Sequence, residues 1–302
     1  MEEMRFEQFE QFADAVKAGM EARYPDSEVL LRRVSKNNGV VYTGIAIRNE
    51  NEHIYPTMYL ERFYDRYEGY LTDEVMDVMC NVYERSRINT ELKGFDDYDQ
   101  VKGRLRCRLI NYEANKVMLA DVPYRRFMDL AIVPYCVVDE LMSNSIGEAS
   151  IKIKKQLLDL WDITEEQLLD VCIENTFKHE KPMIMCMYDA LHDLNPVAAE
   201  RNEEQIKSCP LYVMSTGNAY GATSMMFEDE LKRFCEEIDN DIIIIPSSIN
   251  EVLIVPNDGI DSTYCIDAMI RDVNETTLEA VDVLSDHAYY YNRATGYQMS
   301  AA

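Results

Sequence analysis

The stretch Asp241–Pro256, DIIIIPSSINEVLIVP, limits most tightly what this chain can become. Four consecutive isoleucines, Ile242 to Ile245, are β-branched and uncharged. A strand with one wet face would alternate, so this run predicts a strand buried on both faces. Pro246-Ser247-Ser248 ends it with a turn signal, and Val252–Val255 is a second apolar run closed by Pro256. Neither proline interrupts a run, where its missing N–H would break a ladder. The two runs are therefore expected to pair through the short Pro246–Asn250 connection, at the centre of a sheet.

Before this point the chain alternates helical and extended patterns. Phe6, Phe9, Phe12, Ala13, Val16 and Met20 recur at helical spacing, and Tyr24-Pro25-Asp26 stops that helix. Val29–Val34 and Val40–Arg48 read as strands around Asn38-Gly39, a tight-hairpin signal. Pro56–Tyr67 predicts a short strand leading into a helix, and Leu71–Arg87 a helix capped at Thr72. Tyr55, Tyr59, Tyr64, Tyr67, Tyr70 and Tyr83 are expected to pack rather than to stack on bases. Lys102, Arg104, Arg106 and Arg108 alternate with Gly103, Leu105, Cys107 and Leu109, which predicts a half-buried strand with an exposed basic face. Pro134 within Phe127–Val138 suggests an edge or a bulge.

Residues 149–161 predict a strand then a helix, Thr164–Gln167 a capping box, and Met-rich 183–192 a helix. A second hairpin is expected from Leu211–Thr216 and Ala222–Met226, followed by amphipathic helices at 227–238 and 261–273, and Ala280–Tyr291 closes the chain. The fold class is α+β: β-hairpins with amphipathic helices in ββα-like units, in mixed or antiparallel sheets. A loose ββα recurrence falls near 40–67, 149–161 and 211–238. The expected division is an N-terminal α+β region over 1–205, with a further break near 89–100 left open, and a C-terminal ββαββα unit over 206–302.

Net charge is −25, and residues 201–302 hold 6 basic against 18 acidic side chains. Such a field repels phosphate backbones, which argues against direct nucleic-acid binding and is compatible with solubility or with a basic protein partner. The eight cysteines form no CxxC pair and have no His at ligand spacing, so reduced thiols packed as small hydrophobes are expected, with no metal and no cofactor. No apolar run spans a bilayer, and the acidic MEEMRFEQFEQF start lacks the features of a signal peptide. A cytoplasmic protein is the expectation.

The segments LINYEANKVML (109–119), VPYRRFMDLAIVPY (122–135), ASIKIKKQLLDLW (149–161), PSSINEVLIVP (246–256) and VNETTLEAVDVLSDHAYYY (273–291) resemble a functionally uncharacterised family of acidic cytosolic proteins from gut Firmicutes. PSSxxEVLxxP and VLSDHxYxY are its specific parts. The resemblance implies an origin near mobile elements and brings no catalytic residue with it. Where the family often carries His, this chain has Asn250.

Weak catalytic candidates are Ser247, Ser248, Glu251 and His287, which with Asp286 would suit a hydrolase pocket near 246–251. They lack a GxSxG elbow, and Ser247 and Ser248 suit turn hydrogen bonds equally well. Glu251 interrupts two apolar runs. His53, His179 and His192 lie in polar surroundings. Arg104, Arg106, Arg108, Arg125 and Arg126 are candidates for binding an anion or a partner, which would suit a small-anion sensor. The preferred expectation is a non-catalytic interaction protein, a mobile-element factor engaging a basic, nucleic-acid-handling partner through its acidic surface.

Overall fold

A computed structural model describes residues 4–49, 56–88, 95–137, 150–201, 203–204, 210–217, 220–257 and 263–299. The chain divides after Phe95 into two compact units. This boundary falls in the polar stretch 89–100, and the boundary expected at residue 206 lies inside the second unit.

The first unit holds β1 (Met4–Arg5), α1 (Phe9–Arg23), β2 (Glu28–Ser35), β3 (Val41–Arg48), β4 (Thr57–Tyr59), α2 (Leu60–Arg66), β5 (Tyr70–Leu71) and α3 (Asp73–Ile88). β2 and β3 pair from Glu28↔Arg48 to Ser35↔Val41, and β4 pairs with β3. Asn38 and Gly39 take the positive φ values, 55° and 73°, that the tight connection requires. The apolar stripe of α1 (Phe12, Val16, Met20) and that of α3 (Met76, Met79, Tyr83) share one core with Ile45 and Ile47. Thr72 caps α3, its Oγ1 accepting from the Val75 N–H at 3.2 Å. The tyrosines pack as expected: Tyr64 stands edge-on to Phe9 and Phe12, and the Tyr83 hydroxyl donates to the Ile47 carbonyl. Tyr55 and His53 lie outside the described residues.

The second unit begins with α4 (Tyr98–Val101) and a 3₁₀ turn over Lys102–Arg104, then β6 (Leu105–Asn111), α5 (Lys116–Leu119), β7 (Arg125–Phe127), β8 (Leu130–Val137) and β9 (Ser150–Lys152). β8 is interior to this sheet, with β6 on one side and β7 and β9 on the other. Pro134 thus lies on no edge. Its partner Cys107 sends its N–H away from β8, to the Thr176 hydroxyl at 3.0 Å, so this is the non-hydrogen-bonded kind of pair. The Pro134 nitrogen consequently faces the gap between the last β7 pair, at Ile132, and the first β9 pair, at Tyr135, where no N–H is needed.

Next come α6 (Gln156–Trp161), α7 (Glu165–His179), β10 (Met183–Cys186), α8 (Met187–Leu194), α9 (Pro196–Arg201) and β11 (Tyr212–Ser215). Thr164 and Gln167 form the expected capping box, and Trp161 is buried. A 3₁₀ segment over Gly221–Met226, the helix Glu228–Glu237, β12 (Ile242–Ile245), β13 (Val252–Pro256), the helix Thr263–Thr276, β14 (Tyr289–Asn292) and β15 (Gly296–Met299) complete the unit. The expected caps Asp261 and Ser262 lie outside the described residues.

The second sheet runs β10-β11-β13-β12-β14-β15, and every strand pair is antiparallel among the described residues. β12 and β13 pair as expected, Ile244 opposite Ile254, and Ile242 to Ile244 are fully buried. Two expectations are corrected. Residues 183–192 begin as a strand, because β11 supplies an edge for Met183–Cys186 to pair with. The hairpin at 211–226 does not form: β11 pairs with β10 and β13, and Gly221–Met226 coils into a buried 3₁₀ segment. Gly221 serves close approach rather than a turn, since a Cβ there would lie 2.0 Å from Ser215 Oγ and 2.2 Å from the Asn250 carbonyl. Neither 149–161 nor 211–238 reproduces the strand–strand–helix order of 40–67.

Candidate functional site

The period-two pattern around Arg106 is real, but its basic face is covered. Leu105, Cys107 and Leu109 turn to α7, where burial pushes the Cys107 thiol up to about 12 and Cys136 up to about 11. Arg106, Arg108 and Ile110 lie on the opposite face, against which the 3₁₀ segment Gly221–Met226 packs. Arg106 is only 4% exposed, and its Nη1 donates to the carbonyls of Gly103 and Leu105. The exposed basic strand is therefore a correction: two layers cover the two faces. Arg104 is half-buried, within the 3₁₀ turn. Arg125 pairs with Asp170 of α7 at 2.7 Å. Arg126 donates to the Met128 carbonyl and stacks 3.7 Å over the Tyr112 ring. The five arginines thus do not form one surface.

The serine and histidine candidates are held by separate partners. Ser248 is buried and its Oγ accepts from the Asn250 N–H at 3.0 Å, a turn bond of the kind its position predicts. Ser247 and Glu251 are half-buried, and the Glu251 carbonyl accepts from the Ser248 N–H. His287 meets Asp267 across 3.2 Å, whereas the adjacent Asp286 accepts from Asn274 at 2.8 Å. The hydroxyl close to His287 is that of Ser285, which accepts the His287 backbone N–H and donates to Asp129 at 2.6 Å. Tyr289 donates to the other Asp129 oxygen at 2.7 Å. Ser285 and Tyr289 are fully buried, so this cluster ties the two sheets of the unit together and offers no open hydroxyl. The turn of PSSINEV also meets the residue that precedes VLSDH, the Ile249 N–H donating to the Asp282 carbonyl.

A partly covered apolar surface lies elsewhere. β10 is an edge strand, paired only with β11 among the described residues. Met183 is 52% exposed, and Ile184, Met185 and Cys186 are half-buried. α8 continues this surface with Met187, Tyr188 and Leu191, none of them buried, and Val197 of α9 is 75% exposed. Asp189, Asp193, Glu200, Glu203 and Glu204 are exposed around it. On one face of β10, Ile184 and Cys186 join Pro182, Tyr212 and Phe234 to wall a cavity of about 180 Å³, with Glu230, Arg233 and Glu237 completing its lining. Glu230 is paired with Arg233, while Glu237 is exposed and in no ion pair among the described residues.

A family model spans residues 9–293 of the chain. The chain belongs to DUF5688, a family of unknown function. No curated protein and no solved structure matches. The DUF5688 chain has no helix long and apolar enough to cross a membrane among its described residues. Local sequence pattern did not single out Asp129, Asp267 or Asn274 in the DUF5688 core, since each acts on a segment distant in the chain. Lys152 was within reach: Lys152 and Lys154 alternate with Ile151 and Ile153 by the same period of two that marks Arg106 and Arg108.

Proposed function

We propose that this DUF5688 protein is a non-catalytic interaction protein that takes a basic segment of a partner along β10 and α8. The observation that carries this reading is the methionine-rich strand and helix left uncovered within a rim of carboxylates. Methionine side chains are flexible and polarizable, so such a surface adapts to apolar anchors, and a bare strand edge offers backbone groups for a further strand. The cavity beside Ile184 suits the aliphatic stem of a lysine or arginine, with Glu237 in position to meet its charge. A net charge of −25 adds long-range attraction for a cationic partner. Resemblance to acidic cytosolic proteins of gut Firmicutes found near mobile elements supports a cytoplasmic partner that handles nucleic acid, because such proteins present basic surfaces.

Affinity capture from a host lysate across a salt series tests this. The expected result is recovery of a basic protein at low salt, its loss near 1 M salt, and its loss at every salt for Met183→Asp combined with Leu191→Asp. Recovery of no basic partner at low salt would overturn the reading.

A further inference from the structure

The open edge of β10 has a fixed register. Met187, at the start of α8, donates its N–H to the Leu211 carbonyl at 2.8 Å. Because Cys186 is opposite Tyr212, Met187 and Leu211 continue that ladder as a hydrogen-bonded pair. Hydrogen-bonded and non-hydrogen-bonded pairs alternate along an antiparallel ladder. Met185 and Met183 therefore direct their backbone groups to Val213 and Ser215, and Ile184 turns its N–H and C=O outward. Neither outward group has a backbone partner among the described residues.

This free edge is short at both ends. Pro182 shares the parity of Ile184 but has no N–H, so it offers a carbonyl alone. Cys186 offers an N–H alone, because as the N-cap of α8 its carbonyl opens the helical ladder. On an added antiparallel strand, only the residue opposite Ile184 can exchange both hydrogen bonds, with a single bond two residues to either side. A proline and a helix start also keep long strands from pairing freely here, a protection that exposed edges require.

Parity sorts the side chains as well. Ile184 and Cys186 face the cavity that Glu230, Arg233 and Glu237 also line, whereas Met183 and Met185 are on the opposite face of the strand. A strand laid on β10 places the residue opposite Ile184 over the cavity and its two neighbours beside the methionines. Arg233 pairs with Glu230, which leaves Glu237 to answer a cation.

We infer that β10 accepts one antiparallel strand of about five residues whose central residue, opposite Ile184, is lysine or arginine and whose two neighbours are apolar. This rests on the docking reading proposed above and adds a sequence rule to it: a basic residue between two apolar ones, in extended form. The basic side chain lays its aliphatic stem along the apolar wall and meets Glu237, while the flanking side chains pack on Met183 and Met185. A helical basic segment, or one with its charges side by side, fits neither the hydrogen bonds nor the two faces.

The test is fluorescence polarization with the full-length chain and two labelled, end-blocked peptides of one composition, Thr-Ile-Lys-Ile-Thr and Ile-Thr-Lys-Thr-Ile. Saturable binding of the first is expected, about tenfold tighter than that of the second. N-methylation of the lysine removes the donor to the Ile184 carbonyl and should weaken binding about tenfold. N-methylation of either isoleucine, whose N–H points away from β10, should leave affinity unchanged. Glu237→Lys, at an exposed position, should turn the preference toward Thr-Ile-Glu-Ile-Thr, and an unchanged preference counts against the inference. Equal affinity of the two lysine peptides, with both lost in the Met183→Asp, Leu191→Asp protein, overturns the register and leaves the docking reading standing. A first peptide that shows no saturation by about 1 mM protein overturns the register too, and lysate capture alone then judges the docking reading. Sensitivity to the isoleucine N–H groups in place of the lysine N–H would mean a parallel strand and would overturn the antiparallel rule.

Discussion

Asp129 shows how much of this fold rests on single side chains. One carboxylate receives the hydroxyls of Ser285 and Tyr289 at 2.6 and 2.7 Å. Burial pushes the Tyr289 phenol well above its ordinary range, so it stays a donor throughout the usable pH scale. Asp129→Ala deprives two buried hydroxyls of this acceptor and should cost about 2–4 kcal/mol by denaturant titration; a loss under about 0.5 kcal/mol, typical of surface changes, would show that the carboxylate is not a tie. Lys152 carries a pH signature of opposite sense. Burial, then Arg108 and Lys154, push its ammonium down to about 8 from 10.5. The unfolded chain therefore holds the extra proton between those values, and this group's contribution to stability rises as pH climbs through that window. The buried thiols pull the other way above their ordinary value of 9.0, because burial raises theirs. The readout is thus the difference between the parent and Lys152→Met: the gap in denaturation midpoint at pH 7.5 should narrow by pH 9.5. An unchanged gap would mean that the ammonium is well solvated.

At the scale of elements, the sequence made the Ile run, its partner strand, the Asn38-Gly39 hairpin and the Thr164 capping box legible, because each rests on chemistry within a few residues. What escaped depends on neighbours distant in the chain. Alternation around Arg106 revealed a strand but not that Gly221–Met226 would cover its basic face. Met183–Cys186 carries helix-forming methionines and becomes a strand only because β11 is beside it. Pro134 reads as an edge signal, yet the stop of β7 and the start of β9 leave an interior place for it. Gly221 looked like turn punctuation, but the nearby Asn250 backbone is what excludes a side chain there. Gly221→Ala should therefore destabilise by roughly 1–3 kcal/mol, the range for overpacking a tight site. A neutral or stabilising result in thermal denaturation would restore the turn explanation.

Across the whole molecule, the division after Phe95 separates two sets of interior contacts. The first unit's core, from Phe12 to Tyr83, is built from that unit's own side chains among the described residues. Residues 1–95 produced alone should give a cooperative thermal transition and native-like helical circular dichroism; a chain that melts without cooperativity would show that the core needs the rest of the protein. The surface inferred above lies in the second unit, where the sequence placed some of its residues but none of their surroundings. β12 has one further implication. Four adjacent isoleucines without a charge or a proline are the sort of segment that seeds fibrils when bared. Here β13 flanks it on one side and β14, braced by β15, on the other. The closing hairpin of the chain is thus also a guard: fraying at Tyr289–Met299 would hand the stickiest backbone in the molecule to its neighbours in a crowded cell.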